Sequence, residues 1–211
     1  MPTIEQARGW SRAGDPVHGF DHVERVVHMA ERLARAVGAD EEIVRAAALL
    51  HDAAGAHPDA GEGRHEHEHD SAAVARSVLT EEGWPEARIR AVEHCIRSHR
   101  FRGQERPATP EAQVLFDADK LDVMGAFGAA RTIGYALQAG APIYAAPSKR
   151  FLAEGATEEG EPHSAYHEYL FKLRRVRERL YTEPARVIGE RRHQVLCAFF
   201  DQLAAEAEGG A

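Results

Sequence analysis

The sequence predicts an all-α protein. Three observations carry that expectation. Alanine, leucine, glutamate and arginine dominate the composition, and all four favour helix. Runs of valine, isoleucine and threonine, which strands prefer, are scarce. Apolar residues recur at three-and-four spacing, the period of a helix with one buried face.

The elements follow in chain order. The first clear helix runs from about Asp21 to Val37, with Val23, Val26, Val27, Ala30, Leu33, Ala34 and Val37 on one stripe, and Gly38 ends it. A second starts near Asp40, a residue suited to cap it, and carries His51-Asp52 at its C-terminal end. Gly55 and Pro58 then force a loop, and residues 56–66 are polar and glycine-rich. A third helix begins around His67–Ser71 and reaches Gly83; a fourth spans roughly Pro85 to His99. Arg100 to Thr109 reads as a charged loop, and Pro110 suits a first helical turn.

The fifth helix, about 111–138, is expected to be buried all round: Val114, Leu115, Ala118, Leu121 and Gly125 line one side, Phe116, Val123 and Phe127 the other. Residues 139–162 form a long Gly/Pro/Ala/Glu connection, either a lid or an ordered excursion. Two helices, near 163–181 and 184–207, close the chain. No repeat and no linker divides the sequence. A single domain over 1–211 is expected, its core about 18–138, with the C-terminal helices, about 163–207, packing on it.

A chain of 211 residues with 44% hydrophobic content can fill one core. No apolar stretch reaches membrane-spanning length, so no membrane partner is expected. Met1 to Trp10 lacks the basic-then-apolar layout of a signal peptide, and Cys95 and Cys197 form no motif. A reduced, cytoplasmic setting is the expectation. The net charge of −8 argues against a general nucleic-acid surface but leaves room for a phosphate ligand in a locally attractive pocket.

The chemistry concentrates in His51-Asp52. An imidazole and a carboxylate side by side at the end of a buried helix are costly without a partner, and a divalent metal suits both. His22 and the run Asp117-Ala118-Asp119-Lys120-Leu121-Asp122 supply a second imidazole and further carboxylates. Helix geometry alone leaves Asp117 and Asp119 as equal candidates. Such a mixed set suits Mn, Fe, Co, Ni or Zn better than Ca or Mg alone. An ion held this way makes water more acidic and polarises a phosphoryl oxygen, which points to hydrolysis of a phosphate ester or anhydride.

The strings Phe20-Asp21-His22-Val23-Glu24-Arg25-Val26, Leu49-Leu50-His51-Asp52 and Asp117-Ala118-Asp119-Lys120-Leu121-Asp122, in this order, resemble the HD-domain metal-dependent phosphohydrolases. Flanking segments resemble a small bacterial subgroup with nucleotide pyrophosphatase members: Ser98-His99-Arg100-Phe101, the run from Asp122 to Thr132, Tyr169-Leu170-Phe171-Lys172-Leu173, and Ala185 to Arg192. The resemblance implies an all-helical HD bundle with His22, His51, Asp52 and Asp119 as metal ligands. It selects Asp119 over Asp117 through the pattern Ala-Asp-(Lys/Arg)-Leu. It further implies cleavage of (deoxy)nucleoside triphosphates to monophosphate and pyrophosphate, with Mn²⁺ as the activating ion and Ni²⁺, Co²⁺, Fe²⁺, Zn²⁺ or Mg²⁺ as alternatives. The partner is then a small phosphorylated substrate, a nucleotide, and the protein a monomer or homodimer.

Further roles follow for single residues. Asp52, His67, Lys120 and Asp122 are the candidate catalytic groups: His67 as proton donor, Lys120 as a phosphate contact, Asp122 as a group orienting a ligand or water. Arg25, His99, Lys120 and Arg131 are the candidate substrate contacts. His65 and His69, alternating with Glu66 and Glu68 around His67, give more imidazole than the subgroup needs; His18 and Lys172 are lesser candidates for lining the pocket. Gly134-Tyr135-Ala136 lacks the Gly-Tyr-Pro signature of cyclic-dinucleotide phosphodiesterases. Three rivals stand beside this reading: a nucleoside 5′-monophosphatase or other phosphoesterase on the same scaffold, a nucleotide-sensing metal module without turnover, and a metal binder built on the 65–69 histidines.

Overall fold

The structure, a computed structural model, describes residues 1–10, 19–54, 67–101, 103 and 105–210. His18, His65 and the polar stretch 56–66 lie outside the described residues. Among the described residues there is no strand, and the expected all-α class holds. The chain forms two compact units, Met1–Lys120 with Leu180–Ala185, and Leu121–Arg179 with Arg186–Ala211.

In the first unit, helix α1 (Ile4–Trp10) is followed by α2 (Phe20–Val37), whose expected stripe is buried from Val23 to Ala34. Gly38 at φ +72° stops α2 in the left-handed conformation that glycine adopts without strain. Helix α3 (Glu41–Leu50) is capped as its sequence implies: the Asp40 carboxylate accepts the backbone N–H groups of Glu42 and Ile43 at 3.0 and 3.1 Å. Val44, Ala46, Ala47, Ala48 and Leu50 are fully buried. The alanines let α2, α4 (His67–Glu81) and α5 (Glu86–Ser98) all pack against α3. Helix α6 (Pro110–Asp122) is buried around its circumference from Val114 to Lys120, as expected of a central helix.

The expected fifth helix is two helices. It breaks at Val123–Met124, and α7 runs from Gly125 to Gln138. Met124 is extended (φ −119°, ψ 164°) and Gly125 sits at φ +70°, which a residue with a Cβ rarely adopts. Gly128 seals the corner, since a Cβ there would lie 2.3 Å from the Val123 carbonyl oxygen.

In the second unit, residues 139–162 form an ordered excursion that includes α8 (Lys149–Glu154). Glu161 fastens it, accepting the backbone N–H groups of Ser148 and Glu158 at 2.7 and 2.6 Å and facing the buried His167 Nε2 at 3.0 Å. The helix expected over 163–181 splits into α9 (Ala165–Phe171) and a 3₁₀ segment, Leu173–Arg179, because Lys172 leaves helical geometry at φ −123°. The last helix, α10 (Glu183–Ala207), contributes Leu196 and Phe200 to a core with Phe151, Tyr169 and Leu173, in which the Tyr169 and Phe200 rings stack 4.6 Å apart.

Candidate metal centre

Three helices of the first unit bring four side chains to one place. His22 comes from the first turn of α2, His51 and Asp52 from the end of α3, and Asp119 from the last turn of α6. His22 Nε2 lies 3.4 Å from His51 Nε2, 3.4 Å from Asp119 Oδ1 and 3.8 Å from Asp52 Oδ2. His51 Nε2 is 3.3 Å from the same Asp52 oxygen. The two imidazoles are buried.

The backbone explains why His51 points this way. The last carbonyls of a helix have no partner within it. His51 follows α3 and its Nδ1–H donates to the Ala48 carbonyl at 2.8 Å, which leaves Nε2 to face Asp52 and His22. His99 repeats this arrangement at the end of α5, its Nδ1–H donating to the Ile96 carbonyl at 2.5 Å. A backbone carbonyl behind the ring is the usual means of fixing the tautomer of a metal-binding histidine.

Asp52 has a second side. Its Oδ1 lies 3.7 Å from His67 Nε2 and 3.8 Å from His99 Nε2. The His67 and His99 rings meet edge to face at 5.7 Å, and His99 meets His51 at 5.3 Å. Two donor groups therefore share one carboxylate: His22, His51 and Asp52, and Asp52, His67 and His99. The turn after Asp52 is tied to α4 by Ala54, whose N–H donates to the buried Ser71 hydroxyl at 3.2 Å.

The charge balance fits a cation. Burial opposes a charged His51 ring, but the adjacent Asp52 carboxylate outweighs it and holds the imidazole up at about 9. Burial also opposes the Asp52 carboxylate, yet His51 beside it drives its pKa far below the usual range. Asp119 is likewise held well down against burial, chiefly by the Lys120 ammonium that pairs with it. Burial, followed by the His51 charge, pushes His99 down to about 4, and burial lowers His67. Two ionised carboxylates facing imidazole nitrogens are a set that a borderline divalent ion matches in both charge and donor type.

The other expected residues divide. Asp117 is fully buried, but its carboxylate accepts the Tyr181 and Thr182 N–H groups and the Thr182 hydroxyl at 2.7–2.8 Å. Its lone pairs are engaged with the chain ahead of α10. Lys120 is buried over the Phe116 ring, 5.5 Å from its centroid, and next to Asp119. Arg25 stands one turn after His22 and pairs with Asp21 at 2.5 Å. Asp122 and Arg131 belong to the second unit, where they form an ion pair of 2.7 Å, and Lys172 pairs with Glu168 there. His69 is exposed on α4. Sequence reasoning gave no role to Glu68 and Arg100, although Glu68 adjoins His67 and Arg100 stands in the string Ser98-His99-Arg100-Phe101.

Comparison with known proteins agrees with this geometry. Residues 19–124 match the HD domain family. The chain is 28% identical to YpgQ of Bacillus subtilis, a protein described as uncharacterized, over 99% of this chain and 96% of that one. The crystal structure of YpgQ in complex with ADP has a TM-score of 0.72 at 27% identity and covers 97% of both chains. A protein of Lactobacillus plantarum gives 0.74 at 27% identity, over 98% of this chain and 95% of that one. A predicted HD superfamily hydrolase from an uncultured Thermotogales bacterium gives 0.61 at 25% identity, over 96% and 90%. With the family's match spanning half of the chain and His22, His51, Asp52 and Asp119 all within it, the chain belongs to the HD domain family and is a metal-dependent hydrolase.

Proposed function

We propose that the protein hydrolyses a nucleotide phosphoanhydride, converting a nucleoside triphosphate, deoxy forms included, to the monophosphate and pyrophosphate. The convergence on His22 carries the reading: its Nε2 lies 3.4 Å from His51 Nε2, 3.4 Å from Asp119 Oδ1 and 3.8 Å from Asp52 Oδ2, and His51 Nε2 lies 3.3 Å from that Asp52 oxygen. The ADP bound by the similar YpgQ supports a nucleotide as ligand. These four residues hold the ion, and the mixed imidazole and carboxylate set accommodates Mn²⁺. When bound, a divalent ion supplies Lewis acidity, which polarises a phosphoryl oxygen and makes water a better nucleophile at neutral pH.

The protein's own groups do the rest. Asp52, shared by both donor groups, orients the attacking water toward the α-phosphorus. The bond from the α-phosphorus to its bridging oxygen breaks, and pyrophosphate leaves. His67, on the far side of Asp52, takes the proton that the attacking water loses and delivers it to that leaving group. Lys120 and Arg25 supply positive charge to phosphate oxygens, and His99 contacts the substrate from the end of α5.

A panel of nucleotides, incubated with Mn²⁺ and with a chelator control, tests this reading through chromatography of the products. Pyrophosphate and monophosphate from triphosphates, lost with the chelator, are expected. Orthophosphate released from monophosphates would instead mark a 5′-monophosphatase, and tight nucleotide binding with no product would mark a sensor.

A further inference from the structure

His67 stands between two carboxylates. Its Nε2 faces Asp52 Oδ1 at 3.7 Å, and its Nδ1 faces Glu68 Oε2 at the same distance. Glu68 is 95% buried, although it lies in the first turn of α4 among exposed neighbours such as His69 and Asp70. A buried carboxylate needs a charged or hydrogen-bonding partner. Arg100 provides it: its Nη1 donates to both Glu68 oxygens, at 3.1 and 3.0 Å. Arg100 directly follows His99, as Glu68 directly follows His67. The ion pair thus joins the start of α4 to the end of α5 at the point where the two histidine rings touch.

We infer that the Glu68–Arg100 ion pair is a positioning device for His67, holding its Nε2 turned toward Asp52. Without a fixed carboxylate beside Nδ1, the imidazole is free to turn about its bonds and withdraw Nε2. A buried pair in this place costs desolvation of both charges, and its two oxygen contacts give stability alone little reason to prefer it over apolar packing. Groups that orient a functional histidine from behind typically change activity by about 10–100-fold when removed. The inference rests on the proposed role of His67, and its test separates the two.

The experiment is a double-mutant cycle on the full chain with Mn²⁺ and a nucleoside triphosphate, comparing Glu68→Gln, His67→Ala and the combination. Mn²⁺ affinity is read calorimetrically on the same samples. Glu68→Gln is expected to lower kcat about 10–100-fold with KM little changed, and to leave Mn²⁺ affinity at His22, His51, Asp52 and Asp119 within about 2-fold. In the His67→Ala background it should have no further effect, because the group it positions is gone. Glu68→Asp should recover part of the loss. If Glu68→Gln costs as much with His67 removed as with it present, Glu68 acts independently and the inference fails. If His67→Ala leaves kcat unchanged, the proposed role of His67 fails instead, whatever Glu68 does. Should Glu68→Gln not fold, Arg100→Lys and Arg100→Gln run the same cycle from the other end of the ion pair.

Discussion

Binding of a divalent ion at the His22, His51, Asp52 and Asp119 cluster should release a proton at neutral pH. Stripped of metal, the site holds a charge on His51, whose pKa the Asp52 carboxylate keeps at about 9 despite burial. Nδ1 already donates to the Ala48 carbonyl, so the additional proton sits on Nε2, the atom a metal needs. Metal and proton therefore compete for one nitrogen. From pH 9 to pH 7 the competition spans two units, or roughly 100-fold in apparent affinity. Calorimetry in buffers of different ionisation enthalpy should count about one proton released per ion at pH 7 and almost none at pH 10. The apparent Kd should fall nearly tenfold per pH unit between 7 and 9, then level off. A Kd flat across that range, with no proton released, would refute the competition.

Stability links to the same group. The folded pKa of His51 is raised above its unfolded value near 6.5, so the stability it gives the stripped protein is fully present below pH 6.5 and is lost as pH rises through about 9. Its size is about 3 kcal/mol for this fully buried ring. At a free ion concentration 100 times Kd, metal adds about 2.7 kcal/mol to the folded state. For a chain of 211 residues that is roughly 5–10 °C in Tm. The drop in Tm on adding a chelator should therefore widen from pH 6.5 to 9. A drop that narrows would contradict the sign.

Three substitutions test the remaining structure. His51→Ala and Asp52→Ala should each abolish tight metal binding and turnover while leaving the helical circular dichroism intact; full turnover in either variant would overturn the centre. Gly128→Ala pushes a Cβ to 2.3 Å from the Val123 oxygen, and urea unfolding should show a loss of about 2–3 kcal/mol; a loss below about 0.5 would show that the corner gives way. Asp117→Asn weakens three charge-assisted bonds to residues 181 and 182 and should cost about 2–3 kcal/mol without changing Mn²⁺ affinity. If that variant loses the metal while Asp119→Ala keeps it, the ligand has been misassigned.

Asp117 and Asp119 show where reading a sequence stops. Both flank the apolar stripe of α6 at similar angles, so periodicity treats them alike. Only the fold shows that one carboxylate already accepts three donors from residues distant in the chain, while the other faces an imidazole and a lysine. The donors that were legible, His22 and His51-Asp52, lie in short strings at the start or end of strongly periodic helices, where local sequence dictates local geometry. The break after α6 was not legible, because Gly125 and Gly128 also read as small residues on a buried helix face; the positive φ of Gly125 is invisible in a one-letter pattern. The pairing of Glu68 with Arg100 was hidden for a related reason. A run of alternating histidines and glutamates reads as solvated, and the partner of the buried Glu68 is an arginine 32 residues away, just past the end of another helix. Availability to a cation is thus settled by what else each side chain touches, and those contacts arise only when the helices pack.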